Sequence, residues 1–274
     1  MNKNQPDKES RYPCEYDPCL LQKIARAPAR ETLGLSANPD FIGYDDWTLY
    51  ELAWRDATGK PHMAIGHLQV PADSVFMVES KSLKLYVNSL FYCFFDSPDD
   101  LVRQLSEDLN QLLETKVRLE LLPLVGRAQK RVEGQGDWIY IDEFDVSPAE
   151  GPDAGLLRRG DIGAKNTVPH RYATHCFRSR CPVTAQPDWA SVYVRIDGGV
   201  PDARQLARYL WSFAEHRAFH ENCVERIYRD IWQRLRPTGL SVAARFTRRG
   251  GIDINPVRAS SATVLELPER DFRQ

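Results

Sequence analysis

Cys181 sits in the run Ser179-Arg180-Cys181-Pro182-Val183-Thr184-Ala185-Gln186-Pro187-Asp188-Trp189. A thiolate is the strongest nucleophile a protein carries near neutral pH, and a cation such as Arg180 or an acid–base partner such as Asp188 can tune it. The run can support covalent catalysis, although a cysteine taken alone is more often an inert, half-buried side chain. Three further clusters carry chemistry. Val78-Glu79-Ser80-Lys81-Ser82-Leu83-Lys84-Leu85-Tyr86 opens a helix with Ser80 as its expected cap. The first N–H groups there, with Lys81, can hold an anion, but the residues read equally as a capped amphipathic helix with two solvated lysines. His220-Glu221 falls near the start of another helix, where adjacent positions point apart yet can both border a cleft. Arg248-Arg249-Gly250-Gly251 joins two strands, and a basic turn of this kind is either an ordinary hairpin or a phosphate contact.

A folded frame must position these clusters, and the periodicity outlines one. Residues 47–54 and 63–70 read as strands around the polar turn Asp56-Ala57-Thr58-Gly59-Lys60. Leu83, Tyr86, Val87, Leu90, Phe91 and Phe94 recur at helical spacing. Ser97 caps a second helix, with Pro98 at its first position and Asp99 and Asp100 in its first turn. Residues 116–125 then read as a strand and 138–144 as its expected partner, so the first half is ββααββ. After a proline- and glycine-bearing stretch without periodicity the order repeats. Strands are expected near 171–178 and 191–196, and a helix enters at Pro201-Asp202. A second helix has Val224, Ile227, Ile231 and Leu235 on its core side, and strands over 241–247 and 252–254 complete the half. The expected organisation is a lead segment over 1–45, a first module over 46–145, a linker over 146–169 and a second module over 170–274.

Composition narrows the function classes. A chain of 274 residues, 42% of them hydrophobic, can bury a real core. Its 36 basic and 38 acidic residues are mixed along the chain, leaving a formal charge of -2 and no broad basic face, so direct binding of nucleic acid is disfavoured. The first ten residues are polar, and no run approaches the roughly 20 apolar residues that span a bilayer. A cytoplasmic location without membrane contact is expected. The six cysteines, at 14, 19, 93, 176, 181 and 223, are scattered and form no CxxC pair, so they read as free thiols rather than zinc ligands.

The run Glu-Ser-Lys-Ser-Leu-Lys-Leu-Tyr at 79–86 resembles the signature of the NADPH-dependent 7-cyano-7-deazaguanine reductases, the nitrile reductases of queuosine biosynthesis. Cys-Pro-Val-Thr-Ala-Gln-Pro-Asp-Trp at 181–189, Phe-His-Glu-Asn at 219–222 and Arg-Arg-Gly-Gly-Ile-Asp-Ile-Asn-Pro at 248–256 resemble the same family in its long, two-module form. The similarity runs from about residue 20 to 258. It implies an α+β architecture of tandem tunnelling-fold modules, each an antiparallel ββααββ sheet with its helices on one face, and a homodimer.

The resemblance also implies roles. Cys181 adds to the nitrile carbon of 7-cyano-7-deazaguanine to give a thioimide, Asp188 supplies or relays the proton, and His220 supports that traffic. Glu221 binds the deazaguanine ring, because a carboxylate accepts two parallel hydrogen bonds from a ring N–H and an exocyclic amine. Val78, Glu79, Ser80 and His220 complete the substrate pocket. Ser80, Lys81, Arg249 and Gly250 hold NADPH, two of which are consumed per nitrile, and no metal is required. No Rossmann glycine fingerprint occurs, so the cofactor is not held in the doubly wound manner. Two other readings share the fold: a cyclohydrolase-like pterin or purine enzyme, for which the six histidines offer no compact triad, and a non-catalytic binding protein.

Overall fold

The computed structural model describes residues 13–122, 124, 138–160, 169–270 and 273–274. The lead contributes β1 (Lys23–Ala25) and α1 (Ala27–Thr32). The first half follows with β2 (Ile42–Arg55), β3 (Pro61–Pro71), β4 (Phe76–Val78), α2 (Ser80–Ser89), α3 (Pro98–Leu113) and β5 (Arg118–Leu122). The second half holds β6 (Ile139–Tyr140), β7 (His170–Arg180), β8 (Pro187–Asp197), α4 (Ala203–Trp211), α5 (His220–Leu235), β9 (Gly239–Phe246) and β10 (Ile252–Ala259). The architecture is α+β. β1 and β4 form a small antiparallel pair, and the other eight strands make one sheet in the order β5-β3-β2-β10-β9-β8-β7-β6. All its pairings are antiparallel except the short β6–β7 contact.

Alternation within the strands decides which face is buried under helices. Trp47 and Leu49 of β2, Leu68 and Val70 of β3, and Ile252 and Ile254 of β10 point to one face, where they pack with Leu83, Tyr86 and Val87 of α2 and Leu101, Leu105 and Leu109 of α3. Ala190, Val192 and Val194 of β8 and Val242, Ala244 and Phe246 of β9 do the same beneath α4 and α5. The opposite face carries Ala173, Tyr193, Ala243 and Val257, against which Leu265 and Leu267 of the C-terminal tail pack. Arg245 donates two hydrogen bonds to the tail carbonyl of Pro268, at 2.9 and 2.6 Å. β9 and β10 are buried along their whole length, so their polar side chains are paired inside: Asn255 donates to Asp253 at 2.6 Å and Arg258 to Glu225 at 3.1 Å.

Two helix starts follow the capping chemistry expected of them, α2 departs from it, and α1 and α5 start without a side-chain cap. The Ser97 hydroxyl accepts from the Asp100 N–H, and Asp202 caps α4 through the Arg204 and Gln205 N–H groups. The cap of α2, however, is Glu79 rather than Ser80. Its carboxylate accepts from the Lys81 and Ser82 N–H groups at 3.0 and 2.7 Å, and Ser80 is the first helical residue. A carboxylate reaches two amides at once and suits the positive end of the helix dipole, so it outcompetes the hydroxyl.

Strands in the second half are longer than periodicity predicts, because β8 begins at Pro187 and β10 continues through Pro256 to Ala259. Pro256 is tolerated because β10 pairs with β9 only from Val257 onward. Short of that point the two strands diverge, and the Phe246 N–H is taken by the Asn255 side chain at 3.2 Å. Residues 139–140 pair with β7 and not with β5, so the described part of the first half contributes three strands to the sheet and β10 completes it. The end of the strand expected over 116–125, and 161–168 of the linker, lie in part or wholly outside the described residues.

Candidate active site

A cavity of about 570 Å³ opens between the two halves where β9 and β10 diverge. Trp47, Val78, Glu79, Ser80, Lys81 and Lys84 line it from the first half, and Cys181, Thr184, Gln186, Asp188, His220, Glu221, Arg249 and Gly250 from the second. Every residue singled out from the sequence for catalysis or binding borders this one space.

Cys181 leads a tight turn between β7 and β8. Its N–H donates to the Gln186 carbonyl at 2.9 Å and its carbonyl accepts from the Ala185 N–H at 3.0 Å, while Ala185 takes a left-handed φ of 58°. Burial pushes the Cys181 thiol up, but the Thr184 hydroxyl, the Thr184 and Val183 N–H groups and the Arg249 guanidinium overcome it and bring the thiol below its ordinary range. The cation beside the sulfur is Arg249. Arg180, the neighbour in sequence, is drawn away: its Nε pairs with Glu215 at 2.7 Å.

Asp188 is the second residue of β8, on a strand rather than a loop, and is almost fully buried. Arg249 forms an ion pair with its Oδ1, and His220 Nε2 stands 3.4 Å from its Oδ2, which has no other partner. Burial works against ionisation, but His220 and Arg249 outweigh it and hold the carboxyl below the usual carboxylate range. His220 opens α5, and its ring stacks on Phe246 with centroids 3.8 Å apart and planes within 4°. That platform fixes the ring while leaving Nδ1 without a partner.

Glu221, the next residue of α5, is only 2% exposed. Burial and the nearby Asp45 charge raise its carboxyl to about 6, tempered by His220 and Arg26. A buried carboxylate held this way is short of donors, and two N–H groups on a flat ring would supply them.

The cavity's other end is cationic. Lys81 and Lys84 form no ion pair among the described residues, and a Cβ added at Gly250, whose φ is 57°, would lie 2.3 Å from the Lys84 Nζ. Arg249 joins them, steadied by a 2.9 Å hydrogen bond from Nη1 to Gln186. The two unpaired lysines around a backbone that lacks a side chain, with Arg249 beside them on Asp188, fit the phosphates of a dinucleotide. Sequence reading passed over Trp47, Lys84, Thr184, Gln186 and Phe246. Lys84, Thr184 and Gln186 lie inside clusters it did quote, whereas nothing local marks Trp47 or Phe246.

Comparison with known proteins gives the family. Residues 12–121 match the family model described as "Nitrile reductase, 7-cyano-7-deazaguanine-reductase N-term", and residues 187–264 match one described as "QueF-like protein". An NADPH-dependent 7-cyano-7-deazaguanine reductase of Acinetobacter baumannii (strain SDF) is 41% identical over 272 residues, covering 97% of each chain. Namesakes from Xylella fastidiosa (strain M12) and Psychrobacter arcticus are 43% and 40% identical, each covering 96% of this chain and 95% of the relative. A solved structure of an archaeosine synthase QueF-Like in the apo form overlaps 35% of this chain and 94% of its own, at 15% identity and a TM-score of 0.31, too distant to carry an argument. On matches that span both halves and nearly the whole length, the chain belongs to the NADPH-dependent 7-cyano-7-deazaguanine reductase family.

Proposed function

We propose that this chain reduces the nitrile of 7-cyano-7-deazaguanine to the aminomethyl group with NADPH, as a step of queuosine biosynthesis, through a covalent thioimide on Cys181. The observation that carries the reading is the meeting, in one cavity, of a thiol brought below its ordinary range beside Arg249, a buried carboxylate and the unpaired lysines Lys81 and Lys84. Glu221 accepts the ring N–H and exocyclic amine and so orients the nitrile toward Cys181. The sulfur bonds to the nitrile carbon, one π bond opens, and the nitrogen takes a proton. Asp188, ionised in the resting site, receives the thiol proton and hands it to that nitrogen, with His220 steadying its charge. Val78, Glu79 and Ser80 wall the substrate.

Bound NADPH supplies hydride, and the change from nitrile to amine takes two, so two molecules are consumed. Ser80, Lys81, Arg249 and Gly250 would hold it, the cations suiting its phosphates. Arg249 therefore has two tasks, since it also favours the Cys181 thiolate both as nucleophile and as leaving group. Oxidation of NADPH that depends on added 7-cyano-7-deazaguanine, at two per amine formed, tests the proposal. Oxidation without the nitrile, or none with it, would return the protein to the cyclohydrolase-like or non-catalytic readings. The reading carries with it a homodimer in the cytoplasm, which light scattering and cell fractionation can check.

A further inference from the structure

Three residues lining the cavity carry a buried side-chain atom with no hydrogen-bond partner among the described residues: Asp188 through Oδ2, His220 through Nδ1 and Trp47 through Nε1. The first two belong to the proton-handling pair. Trp47 does not, and nothing described so far uses its N–H. It stands in the middle of β2, 1% exposed. Its cross-strand neighbours are Leu68 on β3 and Ile254 on β10, and it packs in the apolar cluster that also holds Val78. None of these side chains has an acceptor. An apolar site of this kind is filled as well by phenylalanine, and a buried indole N–H that nothing accepts is destabilising unless a partner arrives.

We infer that Trp47 is a specificity-determining residue whose indole N–H donates to an acceptor on the bound deazaguanine ring. This deepens the proposed function and rests on it. A guanine-like ring offers donors and acceptors together, and Glu221, a carboxylate, satisfies only donors. The ring carbonyl and the ring nitrogen beside the exocyclic amine remain, and each needs a donor once removed from water. Trp47 is the buried, uncharged donor without a partner that the first half brings to the cavity, so recognition of the ring is divided between halves: Glu221 reads its N–H groups and Trp47 one of its acceptors. A hydrocarbon wall would accept a ring lacking that acceptor, whereas a site built to donate to it discriminates.

The test compares wild type with Trp47→Phe, which keeps an aromatic ring and removes the N–H. Binding is measured by calorimetry for 7-cyano-7-deazaguanine, for its analogue without the carbonyl, and for its analogue with carbon in place of the ring nitrogen. Trp47→Phe should weaken the parent nitrile roughly 2- to 13-fold, the range of a neutral hydrogen bond, and raise KM with little change in kcat. One of the two analogues should bind wild type and variant equally, identifying the acceptor. Losses that simply multiply for both analogues, or an unchanged parent affinity, overturn the inference while leaving the reductase reading intact. Failure of wild type to bind the parent nitrile overturns that reading instead. If the variant does not fold, 15N-indole spectra of wild type still decide. An indole N–H resonance should shift downfield with the parent nitrile and with only one analogue, and no shift in any of the six tryptophans refutes the role.

Discussion

Cys181 and Glu221 are tuned in opposite directions within one cavity, the thiol downward by hydrogen bonds and Arg249, the carboxyl upward by burial and Asp45. The first consequence is an adduct. Thiolate addition to a nitrile has no leaving group, so incubation without NADPH should add the full mass of the substrate to Cys181, and NADPH should remove it. Intact-protein mass spectrometry sees both events, and an adduct that persists in Cys181→Ala would sink the mechanism. The second consequence concerns pH. In the proposed function Glu221 accepts from ring donors as a carboxylate, so substrate affinity should fall as pH drops through about 6, where the carboxyl takes up its proton. Glu221→Gln should bind weakly and without that dependence, whereas Asp188→Asn should bind substrate and react slowly; equal binding defects in calorimetry would contradict the division. The third concerns Arg249. Replacing it with alanine should weaken NADPH binding by about 1 to 3 kcal/mol, the scale of a charge-assisted contact, and move the pH midpoint of Cys181 alkylation upward.

Elements meet at the site because one seam is drawn tight. β2 and β10 pair in register from Ile42↔Ala259 to Leu49↔Ile252, joining the halves into one sheet and bringing Trp47 opposite Ile254. Gly43 makes the seam possible. Its φ is 151°, and a Cβ there would stand 2.0 Å from the Val257 carbonyl oxygen. A backbone oxygen cannot swing aside as a side chain can, so Gly43→Ala should destabilise the protein on the order of 3 kcal/mol. Thermal unfolding measures this, and a variant of wild-type stability would mean that the seam is looser than described. At the other end of β10, where it diverges from β9, Phe246 is the buried platform for His220.

At the scale of the molecule, the halves are also locked by charge. Arg26 and Arg258 pair with Asp45 at 2.5 and 2.8 Å, and Arg30 and Arg258 pair with Glu225 at 2.8 and 3.0 Å. All five side chains are essentially buried, and they come from the lead, β2, α5 and β10. Burial alone would neutralise the two carboxyls, but the arginines prevail and hold both below the carboxylate range. Folded pKa values below the unfolded ones mean that the stabilisation is fully present above the ordinary carboxylate range and is lost as pH falls through the folded values. Glu225→Ala leaves two buried arginines short of a partner and should cost about 3 to 5 kcal/mol. Urea titration checks the size. The stability difference from wild type should narrow in acid, and one that stayed constant would argue against the linkage.

The sequence by itself determined the chemistry and most of the elements. The spacing of Leu101, Leu105 and Leu109 and the Ser97-Pro98-Asp99-Asp100 start specify α3, because helical period and capping are local properties. The long signatures around Glu79, Cys181, His220 and Arg249 placed the reactive residues in one family before any contact was known. Tertiary structure alone decided who stands beside whom. Arg249 and not Arg180 faces the thiol, Glu79 and not Ser80 caps α2, residues 139–140 pair with β7, and Trp47 reaches the cavity. Phe246 as a platform and the five-member charge cluster were likewise invisible. The reason is physical: these relations join residues up to about two hundred positions apart through strand register, and register is set by the burial of whole faces rather than by any local run of residues.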